Sequence, residues 1–391
     1  MEIIHIILGK ANPDRMNGVN RVVHEMASNQ VRLGYAVQVW GITAQPVHDY
    51  PERNFTTVLF RSYRNPFKAG AALKAALTAK KGTIVVHLHG AFLPRFYSLS
   101  VFLFRRQIPF IITPHSTYNK VMMKKNAFVK KIYFRFFEKK LLDRCACIHL
   151  LGKTEWEGLE EIYHNRKSVL IPYGFTPAAP AATREKAPMF TAAYCGRLSV
   201  FSKGLDIMIE GFSMFHKKYP RSSMLLIGDG SEKEAVLQLV KDSGTERAIV
   251  LTGGKFGNEK TALLQQCHVF VHPSRTDGLP ATIVEAASLG LPCIVSAATN
   301  TGDFISGFDA GYLMPGLTAQ HFCNGLEDQY LKIMQQGKMQ LLQQNAVRMV
   351  EEAFNWQLVL NRFNGIYRTA FEQRSGSKNN HSISTHAEIA L

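Results

Sequence analysis

The sequence predicts an α/β fold of two doubly wound, Rossmann-like domains in tandem, each built on a parallel sheet. Three observations carry this. Short apolar runs alternate with longer amphipathic stretches from residue 1 to about 173. Strand–helix alternation of this kind makes a parallel sheet with crossover helices. The alternation stops over 174–189, GFTPAAPAATREKAPM, which is rich in Pro and Ala, has no periodicity and reads as a linker. It then restarts at Phe190. A chain of 391 residues has the length for two or three domains with sizeable cores.

In order, 2–8 is the first strand, followed by a glycine-containing loop and a helix over about 19–33. Strands follow near 36–40, 84–87, 109–112, 145–150 and 169–171, separated by helices near 68–80, 95–106, 127–142 and 154–163. After the linker, strands are expected at 190–195, 223–227, 249–251, 269–272 and 293–295. Helices near 204–218, 232–241, 259–265 and 281–289 lie between them. Residues 319–372 read as helical with a break at Phe354–Asn355–Trp356, and the polar, aperiodic tail 375–391 reads as disordered. The first domain is therefore set at 1–173 and the second at 190–355. In such sheets ligands gather at the C-terminal strand ends, and two domains leave a cleft between those ends.

The net charge of +16 is uneven. Residues 1–173 hold 26 Lys and Arg against 11 acids, while the remainder is nearly neutral. The first half therefore faces something anionic: nucleic acid, a membrane surface or a phosphorylated acceptor. The six scattered cysteines fit buried free thiols in a reducing compartment. Cys145 and Cys147 would share a strand face, but no further Cys or His cluster completes a zinc site. The start, MEIIHIILG, reads as a strand and lacks the basic region of a signal peptide, and no apolar run reaches the length of a membrane span. A cytoplasmic protein follows, with peripheral attachment to the inner face of the cytoplasmic membrane as an option.

The most informative stretch is 273–292, PSRTDGLPATIVEAASLGLP. Asp277 stands eight positions before Glu285, with a Gly-Leu-Pro turn and a helix start between them. Carboxylates accept bonds from sugar hydroxyls, and helix N-terminal N–H groups hold phosphate. Spacing alone does not separate this from a surface turn before a buried helix. Arg197 after a strand and Lys203 at a helix start could both reach one diphosphate, or be ordinary surface cations. Gly228–Asp229–Gly230 allows close backbone approach, and the segment containing Gly254 (TGGK) could border a nucleobase; each is weak alone.

In the first domain, Gly18 sits in the loop KANPDRMNGVN, where backbone could approach a phosphate or sugar. No GxGxxG or Walker pattern accompanies it, so neither a dinucleotide nor an ATP site is read. His87, His89 and His115 end strands, where a histidine can bind a sugar or move a proton; a single such histidine is more often structural. Residues 95–144 hold 12 Lys and Arg and only two acids. Phe128, Ile132, Phe136 and Leu141 recur there near helical spacing, interleaved with lysines. A basic amphipathic helix reads as a membrane-surface element, or as a docked helix with a solvated basic face. Nucleic-acid binding is disfavoured, since no helix-turn-helix, RNP or zinc pattern is present.

With these segments in order, residues 1–373 resemble the retaining glycosyltransferases of family four. GRLSVFSKGLD is similar to that family's phosphate-binding segment, LLIGDGSEKE to its strand–GDG–helix, and HPSRTDGLPATIVEAASLGLPCI to its signature with two spaced acids. KSVLIPYG and FNWQLVLNRFNGIYR resemble the end of the first domain and the helix that crosses back to it, so 356–373 should pack on the first domain. ITPHSTYN, the basic helix and CIHLLGKTEWEGL are similar to members that build bacterial surface polysaccharides.

The resemblance implies the GT-B fold and transfer of a sugar, with retention, from a UDP- or GDP-sugar to a glycan or lipid-linked hydroxyl. It implies that Arg197 and Lys203 neutralise the donor diphosphate and that Glu285 holds the ribose. Asp277 would contact the donor sugar with N–H groups near Ala281 and Thr282, His115 would lie near the reacting sugar or acceptor, and Gly18 would face the donor. No DxD motif is present, so no metal or other cofactor is expected. Four departures stand out: Asp277 for the usual Glu, Asn17–Gly18 for Gly-Gly, Ser116 for Gly, and Tyr173 for Asn. Two rival readings stay open: a non-catalytic module for anionic lipid, and another enzyme on this architecture, such as a sugar-nucleotide epimerase. A phosphorylase is disfavoured because no lysine-anchored pyridoxal phosphate signature is present.

Overall fold

The computed structural model describes residues 1–12, 18–177 and 185–373. They form two compact units, one of Met1–Gly174 with the segment from Trp356 onward, the other of Phe175–Asn355. The predicted tail, residues 178–184 of the predicted linker and residues 13–17 of the first loop lie outside the described residues.

Unit 1 has seven strands: β1 (Glu2–Leu8), β2 (Val37–Thr43), β3 (Thr56–Arg61), β4 (Ile84–His89), β5 (Phe110–Thr113), β6 (Cys147–Leu150) and β7 (Ser168–Leu170). All pair in parallel, in the order β3-β2-β1-β4-β5-β6-β7. The central strands β4, β5 and β6 are buried throughout, which explains their near-continuous apolar runs. Unit 2 has six: β8 (Phe190–Cys195), β9 (Ser222–Ile227), β10 (Ile249–Gly253), β11 (Val269–His272), β12 (Cys293–Val295) and β13 (Gly311–Leu313). Their order is β10-β9-β8-β11-β12-β13, again all parallel. The strand order reverses between β1 and β4 and between β8 and β11. At such a switch point the loops part and leave a crevice above the strand ends.

Two strands escape the sequence reading. Edge strand β3 is only partly buried, so its TTVLFR shows no clean apolar run. Strand β13 has three residues and starts at Gly311 with φ 149°. The cysteine expectation is also corrected. Cys145 follows the helix Lys139–Arg144 and only Cys147 lies in β6, so the two share no strand face. All six cysteines are buried free thiols.

The predicted helix 127–142 is broken by local winding. Ala127–Tyr133 and Lys139–Arg144 are α-helical, and Phe134–Glu138 between them is a π-turn. One wider turn shifts the angular phase of everything after it. The final helix, Trp356–Glu372, buries Trp356, Leu360, Phe363 and Tyr367 in unit 1, against the first helix (Gly18–Arg32), β4 and β5.

Candidate active site

In unit 2 the loops after β8 and β11 flank the switch point, and they carry Arg197, Lys203 and Asp277. The loop after β8 holds the exposed Arg197 and a short helical turn, Val200–Lys203. Gly204 closes that turn at φ 67°, and a Cβ there would lie 2.1 Å from the Pro273 carbonyl oxygen. Both the left-handed backbone and the close approach demand glycine, which is why Lys-Gly occurs as a pair. Gly228 does similar work nearby: a Cβ would lie 1.9 Å from the Gly196 carbonyl oxygen. The turn is clamped twice more. Glu232 accepts from Ser199 Oγ (3.1 Å) and the Val200 N–H (2.9 Å). Arg275 grips Asp206 with a two-pronged pair at 2.7 Å and donates to the Phe201 carbonyl at 3.0 Å.

This places Lys203 Nζ on Asp277 Oδ2 in a short ion pair. His272, the last residue of β11, donates Nε2–H to the same oxygen at 3.0 Å. Burial alone would raise the Asp277 carboxyl, but the His272 bond and the Lys203 charge outweigh it and hold it well below the usual range. Burial pushes His272 down despite Asp277, so the ring is a neutral donor. A carboxylate with a depressed pKa stabilises the fold above its unfolded value and loses that contribution as acid protonates it. The Asp277 pairing should therefore weaken as pH falls below about 4, seen as loss of thermal stability in unit 2.

The helix Ala281–Ser288 begins behind Pro280 with no side-chain cap, leaving the Ala281 and Thr282 end open to an anion. Glu285 lies one turn on. It is held by Lys260, whose Nζ reaches Oε1 at 2.6 Å and Oε2 at 2.8 Å. Lys260 lies in the helix Gly257–Gln266, and nothing local in the sequence marks it. An ionised carboxylate has about four acceptor positions, so Glu285 keeps capacity for two hydroxyls while its charge is offset. If this site takes a nucleotide, Lys260→Ala weakens its binding about tenfold, measured by titration calorimetry, through a misdirected Glu285. Gly254 is exposed just after β10, beside the exposed ring of Phe256.

In unit 1, Gly18 opens the first helix, and among the described residues nothing lies within 4 Å of where its Cβ would be. His115 follows β5 with φ 54°, and Ser116 with φ 64°. Two consecutive left-handed residues are costly. The buried Glu155 lies with this turn: burial pushes its carboxyl up to about 7, while N–H groups of Leu151 and the 116–118 turn pull it back.

The strand-end histidines all spend ring nitrogens on partners within unit 1. His87 and His89 are fully enclosed, and both nitrogens of the His115 ring are taken, by Tyr173 Oη at 3.0 Å and His89 at 3.1 Å. Burial lowers His5 and His149 to about 4 and His115 to about 3, and carries His87 and His89 well down. Such rings stabilise fully above about pH 6.5 and lose that contribution as pH falls towards these values. Glu138 and Glu155, both pushed up to about 7 by burial, act in the opposite sense. Five rings outweigh two carboxyls, so the protection factors of the β1 and β4 amides, taken against the intrinsic exchange rate at each pH, should fall between pH 6.5 and 4.

The basic segment of unit 1 docks on the core through the buried Phe134, Leu141 and Leu142, and it also carries a second apolar stripe that faces water. Phe128 is 76% exposed and Phe136 52%, and Val129 and Ile132 are also exposed, whereas Leu141 is buried. Leu141, five residues beyond Phe136, falls on the other side from Phe128, Ile132 and Phe136, which follow one another at four-residue spacing and share a face. A cation stands three residues after each of those: Lys131, Arg135 and Lys139, all exposed. Lys130 is turned back onto the Met122 carbonyl. Among the described residues no helix is long and apolar enough to cross a membrane.

These two sheets and their strand-end sites define a two-domain α/β protein of the GT-B architecture. The profile of Glycosyltransferase Family 4 matches residues 16–178, and that of Glycosyl transferases group 1 matches residues 190–330. The chain belongs to this glycosyltransferase family. Among curated relatives, alpha-monoglucosyldiacylglycerol synthase of Acholeplasma laidlawii is 25% identical over 74% of this chain and 79% of its own. UDP-Gal:alpha-D-GlcNAc-diphosphoundecaprenol alpha-1,3-galactosyltransferase of Escherichia coli is 27% identical over 53% of this chain and 57% of its own. The solved sucrose-phosphate synthase of Thermosynechococcus elongatus shares the fold, with TM-score 0.73 and 18% identity, covering 95% of this chain and all of that one.

Proposed function

We propose that the protein transfers a sugar, with retention, from a nucleoside-diphosphate sugar to a hydroxyl of a lipid-linked or glycan acceptor. The observation that carries this is the Lys203–Asp277–His272 cluster at the β8/β11 switch point, beside an uncapped helix start. Arg197 and Lys203 neutralise the donor diphosphate, Lys203 donating to Asp277 and phosphate together through its three N–H groups. Glu285, braced by Lys260, accepts from the ribose hydroxyls. Asp277 stays ionised and accepts from the donor sugar, with the Ala281 and Thr282 N–H groups facing anionic oxygen. Gly254 and Phe256 border the base.

The acceptor oxygen attacks the anomeric carbon on the leaving-group face. The bond from that carbon to the β-phosphate oxygen breaks, and the acceptor proton passes to the departing phosphate. Lys203, held on Asp277, and the exposed Arg197 supply the charge stabilisation that a divalent ion has elsewhere, and the sequence has no DxD motif to hold one. His115 and Gly18 belong to the acceptor-side unit, where the occupied His115 ring positions its turn.

Two named relatives use lipid-linked chemistry: one makes a glucosyldiacylglycerol, the other's acceptor is a diphosphoundecaprenol. With the basic, apolar-studded face of unit 1 they support an acceptor at an anionic membrane surface. The protein then works at the inner face of the cytoplasmic membrane, in glycolipid or surface-polysaccharide synthesis. Thermal shift against UDP, GDP, ADP and CMP with EDTA present tests donor binding. A ligand at about 100 times its Kd should add about 2.7 kcal/mol. No response from folded protein to any nucleotide would refute the reading.

A further inference from the structure

Across the sheet of unit 1, from mid-strand to the C-terminal ends, runs an unbroken line of polar side chains inside an apolar core. His5 of β1, His87 and His89 of β4, Thr113 of β5 and His149 of β6 join Gln30 of the first helix and Tyr367 of the last. His115 and Tyr173 complete the line. The direction of every hydrogen bond in it follows from one end. The Ile171 carbonyl only accepts, so His149 donates Nε2–H to it at 2.8 Å. His149 Nδ1 is then bare and accepts from Thr113 Oγ1 at 2.7 Å. Thr113 Oγ1 in turn accepts His87 Nε2–H at 2.6 Å, and His87 Nδ1 accepts from Tyr367 Oη at 2.8 Å.

Tyr367 Oη, having given its proton, accepts from Gln30 Nε2 at 3.5 Å. That fixes the amide, so Gln30 Oε1 accepts His5 Nε2–H at 2.7 Å. His5 Nδ1 accepts His89 Nε2–H at 2.9 Å, and His89 Nδ1 accepts His115 Nε2–H at 3.1 Å. His115 Nδ1 finally accepts from Tyr173 Oη at 3.0 Å. Reversing any one bond sets two acceptors or two donors against each other, which inside a core is costly.

We infer that Gln30 and Tyr367 are positioning residues for His115: they carry the polarity set at Ile171 through the chain and lock the His115 ring with Nε2 protonated and Nδ1 accepting. The Gln30–Tyr367 link, the longest bond in the chain, couples the two halves. Without it, the half from His5 to Tyr173 accepts either direction, because a tyrosine hydroxyl both donates and accepts. The ring so held is tied on both sides beside the left-handed turn at His115 and Ser116. Nitrogens of His5, His87 and His89 also fall within 4.8 Å of one another, as in a metal site. Each of them already has its partner in the chain, so a metal would have to break it.

The test is NMR of the full chain with 15N in its histidine rings, which separates the two neutral tautomers. In the wild type all five rings should be neutral with the proton on Nε2. In Gln30→Leu, His87 and His149 should stay so while His5, His89 and His115 become mixtures; Tyr367→Phe should have the same effect. Donor turnover in Gln30→Leu should fall about tenfold in kcat with donor KM little changed. An Nδ1 proton on any of the five wild-type rings overturns the inference, as does a His115 left unmixed by both variants. Stoichiometric cobalt(II) binding, seen as new visible absorption, also overturns it. Should Gln30→Leu fail to fold, the wild-type spectrum and Tyr367→Phe decide. The effect on turnover rests on the transferase reading, but the tautomers do not: a correct spectrum from a protein that transfers no sugar would refute that reading alone.

Discussion

Lys203→Ala is expected to reduce donor turnover by about 10²–10³-fold while leaving the fold intact. Its ammonium is largely enclosed, contacts Asp277, and sits on a turn fixed by Glu232, Arg275 and the Gly204–Pro273 approach. A charge so placed needs no rearrangement when the leaving diphosphate develops negative charge, and this preorganisation is what alanine removes. Asp277 keeps the His272 bond and stays ionised at pH 7, so unfolding should change little. Arg197→Ala should act in the same direction. Gly204→Ala supplies the internal control: it retains the lysine but forces the turn away, so turnover should drop together with thermal stability. Steady-state kinetics with circular dichroism on the three variants measures this. Near-normal rates for both cation variants would remove the donor site from this loop.

Replacing Lys131, Arg135 and Lys139 with glutamine is expected to release the protein from anionic vesicles. Each cation near such a surface contributes about 1 kcal/mol, so the three together correspond to about a hundredfold weaker partitioning. Phe128→Ser with Phe136→Ser should weaken binding further, and should do so in high salt, where the cationic part is screened. Both rings are mainly in water, so their removal should leave the melting temperature nearly unchanged. Vesicle co-sedimentation at two salt concentrations separates the two parts. Binding that neither set of variants changes would place the membrane contact elsewhere. Lys130 is omitted because it is already turned back onto Met122.

Sequence and structure diverge at identifiable places. The two parallel sheets were legible because their central strands, buried on both faces, must be apolar along their length. Strand β3 was not, because an edge strand with one wet face mixes Thr, Arg and apolar residues. The helix 127–142 was legible as basic and amphipathic, but the side its apolar stripe faces was not. The segment has two apolar faces, and only the packing decides that Phe134, Leu141 and Leu142 go inward while Phe128, Ile132 and Phe136 stay outside.

The candidate site divides in the same way. Arg197, Lys203, Asp277 and Glu285 follow strands or open helices at spacings readable along the chain, because local backbone geometry sets where those side chains start. Lys260 on Glu285 and His272 on Asp277 are partners brought in by another element. His272 ends a strand and carried the same signal as His87 and His89; Lys260 carried none. For the histidines the sequence determined only that imidazoles stand at strand ends. Parallel pairing puts His5 opposite His87, and the last helix brings Tyr367 across 280 residues to His87. Periodicity and burial are properties of neighbours in the chain, so the sequence alone determined the two sheets and the cations at their ends. Donor–acceptor order depends on which atoms meet in space, so only the tertiary structure decided that the His115 ring lies between Tyr173 and His89.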